Sequence, residues 1–325
     1  MNHRDRTGYL PPNAGEDPRE HRRGRRRAEY RNHEGAAHGA AGDHERAGFL
    51  EQSGAFHVRF QEGSRDREQA GALQQAHCPR GRHRGADGAG GGGVYAERCS
   101  NYLVNNLSDN PILSFDELDS WIEDIWETFY NDWEESAKQE GGMLLDKFYD
   151  EGSFATLAAI WKENNGTFRW FTYGDSVVFH YNRNTKILEH SFTNLADFTQ
   201  PPYLINCKDE LNPLGFKSGT FQTNDCSILF AATDALSHYI LMMYEVSQKD
   251  EYEMELQNAI DNHSKNGVLI KNALQIKSLN FEKNVLNKLL NCKIPINMKR
   301  HISAIKRKGL IGHDDYSFVA LICNT

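Results

Sequence analysis

The chain has 325 residues, 39% hydrophobic and 25% charged, with a formal net charge of -8. That is length for one large domain or two small ones, and the composition is that of an ordinary globular protein. No apolar run reaches about 18 residues and no charged-then-apolar leader opens the chain, so neither a membrane span nor a signal peptide is expected, and a cytoplasmic location without a membrane partner follows as the expectation.

The average hides two unlike parts. Residues 1–90 hold 16 Arg and no Lys, whereas the remainder holds 16 Lys and 5 Arg, and no Ile precedes Ile112. By charge the first part is weakly basic and the second strongly acidic. An acidic fold is unsuited to nonspecific binding of phosphate backbones, so no nucleic-acid partner is expected for it. The six cysteines (78, 99, 207, 226, 292 and 323) show no C-x-x-C pair, which fits reduced thiols rather than a disulfide scaffold or a zinc site.

Residues 1–85 are rich in Arg, Gly, Ala, His and Glu and lack apolar periodicity. Such a stretch cannot bury enough apolar surface to offset chain entropy. It reads as a disordered tail or as a stretch translated in a wrong frame. An Arg-rich RNA-binding arm is a third reading, opposed by acids that nearly cancel the Arg. The folded domain is expected over residues 86–325.

A first helix is expected from about Val94 to Leu107. A second, near 114–137, has Ser114 as cap and Glu117 three residues on, with Phe115, Leu118, Ile122, Ile125, Phe129 and Trp133 at helical spacing. The period then changes. ATLAAIW (155–161), TFRWFTY (167–173), SVVFHYN (176–182) and KILEHSF (186–192) are short, aromatic and β-branched, and turn pairs separate them; they predict an antiparallel meander. After a proline-containing loop, GFKSGTFQTND leads into the apolar strand SILFAA (227–232), which ends at Thr233-Asp234. A helix over 236–246, two or three more over 250–308, and a last strand YSFVALIC (316–323) after Asp314-Asp315 complete the series. Hairpins and helix pairs, rather than βαβ alternation, point to antiparallel sheets covered by helices.

Three acidic positions flank these elements: Asp87, followed by Gly88 and a glycine run; Asp234, at the end of a strand; and Asp314, before the last one. Carboxylates at strand ends can converge at a sheet rim, and hard cations such as Mg²⁺ or Mn²⁺ prefer oxygen ligands. Two such ions can bind a phosphoryl group and acidify a bridging water. Taken singly, an Asp at a strand end is more often a turn former or a helix cap.

DGAGGG (87–92), GSFATLAAI (152–160), YGDSVVFHY (173–181), ILFAATDAL (228–236) and DDYSFVAL (314–321) stand in an order that resembles the type 2C (PPM) metal-dependent Ser/Thr protein phosphatases, most of all their divergent bacterial branch. The resemblance implies an α+β fold, two antiparallel β-sheets in a sandwich flanked by helix pairs (αββα). The family's N-terminal strands, with an Arg for phosphate and an E-D or Q-D pair for the second metal, are missing or unrecognisable here. It implies two Mn²⁺ or Mg²⁺ ions, Asp87 bridging them, the Gly88 carbonyl on one, and Asp234 and Asp314 on the other. The implied reaction is hydrolysis of phosphoserine or phosphothreonine in a phosphoprotein by metal-activated water, with no catalytic side chain beyond it. The alternative is an inactive pseudophosphatase that binds or regulates. Gly174 and Asp175 match the family's hairpin, where a tight turn without chemistry is the first expectation. His313 is a candidate proton donor. The cations at Lys299, Arg300, Lys306, Arg307 and Lys308 read as a solvated face or a phosphopeptide-docking patch.

Overall fold

The computed structural model describes residues 58–61, 96–206, 209–261, 265–314 and 316–323. Helix α1 (Ala96–Asn105) leads to α2 (Phe115–Glu140) and α3 (Gly142–Glu151). The start of α2 is fixed reciprocally: the Glu117 N–H donates to Ser114 Oγ (3.2 Å), and Glu117 Oε2 accepts from the Leu113 N–H (2.6 Å). At the other end Gly141 takes φ +78 and donates its N–H to the Ala137 carbonyl, which closes α2 and turns the chain into α3.

The strands that follow are β2 (Phe154–Ala155), β3 (Leu157–Lys162), β4 (Thr167–Tyr173), β5 (Val177–Asn182), β6 (Leu188–His190), β7 (Ile205–Asn206), β8 (Phe216–Gln222) and β9 (Ser227–Ala232). A strand β1 at Val58–Gln61 precedes them all, and β10 (Phe318–Ile322) follows the helices. Those helices are α4 (Asp234–Ser247), α5 (Glu253–Asp261), α6 (Lys265–Leu274), α7 (Asn287–Leu290), which a π-helical turn precedes, and α8 (Pro295–Arg307).

The expected pair of antiparallel sheets in a sandwich is corrected in number and in direction. The described strands form three sheets, ordered β1-β3-β4-β8, β10-β9-β5-β6 and β2-β7. The third exists because Thr156 interrupts the ladder, leaving Phe154–Ala155 to pair with Ile205–Asn206 instead of extending β3. The ladder of β1 with β3 is parallel, which a distant stretch of chain can supply and a hairpin cannot. Val58–Gln61 thus adds a strand from a stretch that composition assigns to the unfolded type.

Alternation along the strands sorts the core. Ala158, Ile160 and Trp170 of the first sheet meet Val178, Leu229 and Ala231 of the second in one apolar cluster. The opposite face of the first sheet, with Leu157, Ala159 and Phe171, packs under α1, α2 and α3. The opposite face of the second, with Phe179, Ile228 and Phe230, packs under α4 to α8. All six residues of β9 are buried, so it is covered on both faces and reads as a continuous apolar run.

Candidate functional site

The second sheet brings its aspartates together by register. Val177 at the start of β5 pairs with Ala232 at the end of β9, and Phe318 at the start of β10 pairs with the same Ala232. Asp175 lies two residues before Val177, Asp234 two after Ala232, and Asp314 four before Phe318. All three leave the sheet at one edge.

Each position has its own local cause. Asp234 opens α4, where the helix N-terminus favours negative charge. Thr233 and Ser317 lock that end to the last strand: the Thr233 N–H donates to the Ser317 carbonyl (3.3 Å) and the Ser317 N–H to Thr233 Oγ1 (3.1 Å). Asp314 sits in a loop braced by Tyr316, whose hydroxyl accepts the Asp314 N–H (3.1 Å) and donates to the Gly312 carbonyl. Asp175 is in the turn that carries the chain from β4 in the first sheet to β5 in the second, where the expected meander breaks, and it follows Gly174 at φ +90.

A Cβ on Gly174 would come 2.6 Å from both Thr156 Cγ2 and the Tyr203 carbonyl oxygen. Gly174→Ala is therefore expected to lose about 2–3 kcal/mol, from a positive φ and an overfilled contact. Urea unfolding measures it; a loss below about 0.5 kcal/mol would mean that the turn relaxes freely.

The three carboxyls interact electrostatically. Burial raises the Asp234 carboxyl well above the usual carboxylate range, the charges of Asp175 and Asp314 raise it further, and a hydrogen bond joins it to Asp314. Asp175 is also raised, first by burial and then, partly offset by its own backbone N–H, by Asp314. Like charges in a confined space hold protons or attract a cation. Among the described residues, no group of three or more His, Cys, Asp or Glu side chains is arranged to hold a metal ion by itself. Asp234 and Asp314, within hydrogen-bond contact, do match Mg²⁺ in kind, since that ion commonly takes one or two carboxylates and completes its shell with water and substrate oxygens.

Of the expected site residues, Asp234 and Asp314 are thus brought together, and Asp175 joins them at a turn where the sequence pointed first to shape. Asp87, Gly88 and Asp315 lie outside the described residues. His313 is exposed beside Asp314. Trp161, Trp170, Phe171 and Tyr173 are core residues.

His180 shows a pattern that sequence reading missed. Its Nδ1 stands 2.6 Å from Glu189 Oε2 and its Nε2 2.8 Å from Ser227 Oγ, the order of a Ser-His-acid relay. Ser227, however, is 1% exposed, and its Oγ also accepts the Asn224 N–H (2.9 Å). A serine so enclosed cannot meet a substrate carbonyl, and the three residues instead tie β6, β5 and β9 across the sheet. Farther off, an apolar cleft between α1, α2 and β7, lined by Cys99, Tyr102, Ile122, Trp126 and Phe129, offers no carboxylate, imidazole or cation for catalysis.

Comparison of the chain with protein-family models, with curated proteins and with solved structures gave no match.

Proposed function

We propose that the chain is a metal-dependent phosphatase of phosphoserine and phosphothreonine in proteins, with Asp234 and Asp314 as ligands of a Mn²⁺ or Mg²⁺ ion. The observation that carries this reading is the convergence of Asp175, Asp234 and Asp314 at one sheet edge, where their mutual repulsion leaves a need for positive charge. A hard divalent ion there supplies charge for the phosphoryl oxygens and acidifies water. The first turn of α4 holds the backbone of Asp234 and the Tyr316 hydroxyl holds that of Asp314, which limits the rearrangement needed to bring the two carboxylates to one ion.

Hydrolysis of p-nitrophenyl phosphate or a phosphopeptide is expected to require Mn²⁺ or Mg²⁺. It should fall in Asp314→Asn by at least the roughly 10–100-fold that follows loss of a residue supporting a metal site. Full activity in EDTA would sink the reading. The lack, among the described residues, of a three-ligand group favours a second reading, a pseudophosphatase acting as a binding or regulatory module. Calorimetric Mn²⁺ titration separates the two: no site of millimolar affinity or better selects the binding module.

A further inference from the structure

The residues from Lys277 to Lys308 hold nine Lys and Arg against one acid, Glu282. Glu282 is already engaged, 3.1 Å from Arg183 Nε. The charge of the domain is polarised across its layers, because α2, on the outer face of the other sheet, holds ten acids and one base. Along α8 the core-facing residues are Met298, Ile302 and Ile305, and the opposite stripe is Ile296, Arg300, Ser303 and Arg307, with Lys299 beside it. Lys299, Arg300 and Arg307 are exposed and form no ion pair among the described residues. Ile294 and Ile296, at the start of the stripe, are 49% and 47% exposed.

The last turn of α8 reaches the loop that carries Asp314. Lys306 Nζ lies 4.9 Å above the Tyr316 ring, and the Tyr316 hydroxyl accepts the Asp314 N–H. Like-charged side chains held close repel one another, and a surface that gathers them without counter-charges is complementary to an anionic partner. The 13 residues of α8 extend about 20 Å, the span of about six residues of extended peptide. The stripe has no aromatic side chain for bases to stack on, which disfavours nucleic acid. Two apolar side chains at one end suit an anchor contact within a polypeptide interface.

We propose that the exposed face of α8 docks an acidic segment of a protein partner, the segment next to the phosphorylated residue. The identity of that partner as substrate rests on the phosphatase reading; the docking itself does not. The full chain is titrated, without metal, with a fluorescent unphosphorylated peptide rich in Asp and Glu, and anisotropy is followed. Binding is expected to weaken steeply with salt and by at least about tenfold in Lys299→Glu/Arg300→Glu/Arg307→Glu. The milder Arg300→Gln/Arg307→Gln, with its melting temperature matched to the parent, should weaken it in the same direction. KM for an acidic phosphopeptide should rise in these variants while hydrolysis of p-nitrophenyl phosphate stays unchanged. Unchanged peptide affinity in the triple variant overturns the proposal. So does tighter binding to phosphatidylserine vesicles or to an oligonucleotide than to the peptide, or self-association of the chain that the same substitutions abolish. Peptide binding that persists in a chain without hydrolytic activity removes the phosphatase reading and leaves the docking face standing.

Discussion

Asp234→Asn is expected to raise the melting temperature of the metal-free protein and to abolish its response to Mn²⁺. Both effects have one origin. The Asp234 carboxyl is buried beside Asp175 and Asp314, which disfavours its charge. A pair of unit charges 4 Å apart interacts by about 4 kcal/mol at the effective dielectric near a protein surface, and proton uptake relieves only part of this. The amide keeps the shape and removes the charge. It also removes a negative charge from the first turn of α4, at a cost of about 0.3–1 kcal/mol. The balance favours the variant by about 2 kcal/mol, or roughly 4–8 °C for a domain of this size. In the parent, Mn²⁺ at a hundredfold excess over its dissociation constant should add about 2.7 kcal/mol, and in the variant this increment should disappear. Differential scanning fluorimetry with and without Mn²⁺ reads both. A variant that melts no higher than the parent and shifts equally with Mn²⁺ would show that Asp234 belongs to no shared carboxylate site. Asp175→Asn should stabilise in the same direction. The double variant should gain less than the two single gains together, because each substitution relieves the same repulsion.

The elements that carry strong local signals were legible in the sequence. TFRWFTY forms β4 over Thr167–Tyr173, and SILFAA forms β9 over Ser227–Ala232, both as expected. The Ser114–Glu117 box begins α2 where it should, and the helix runs on to Glu140 because Gly141 is the first residue that stops it. The edge strand β8 was harder to see. FKSGTFQ has one buried residue, Phe221, and a glycine at its centre, which weakens any strand pattern. That glycine is needed, since a Cβ on Gly219 would come 2.6 Å from the Trp170 ring, and only the folded neighbour reveals this. The two-residue ladder of β2 with β7 is too short for any periodic signal. At the site, Asp234 and Asp314 could be picked out by their apolar strands. The part played by Asp175 could not, because a Gly-Asp turn looks the same whether or not its carboxyl meets others. The register of Val177 and Phe318 on Ala232 brings the three together, and register is a property of pairing that no single strand encodes.

Glu245, away from the carboxylate site, is expected to make stability strongly pH-dependent. It lies on α4, 4% exposed, and its Oε2 has no hydrogen-bond partner. Burial, with Glu255 adding a like charge, pushes its carboxyl up to about 8. The unfolded chain titrates it near the ordinary value of 4.5. Below pH 4.5 both states hold the proton, and the group does not oppose folding. Between 4.5 and 8 the unfolded state releases the proton while the folded state keeps it, so stability falls as pH rises, and the loss is complete above pH 8. At about 1.4 kcal/mol per pH unit the full loss is of the order of 4–5 kcal/mol. Glu245→Gln keeps the shape of the protonated acid and should remove this dependence. The variant should match the parent near pH 4.5 and exceed it by several kcal/mol at pH 8.5, as measured by urea unfolding across the range. The difference between variant and parent isolates Glu245 from His238, whose buried ring is pushed down to about 4 and loses stability in the opposite direction, as pH falls from 6.5. An equal difference at both pH values would show that Glu245 reaches water or a partner when ionised. A difference that grows with pH establishes a buried acid on the same helix as Asp234. Its cost to the fold then has the same form as that of the carboxylate site: charge confined where solvent cannot screen it.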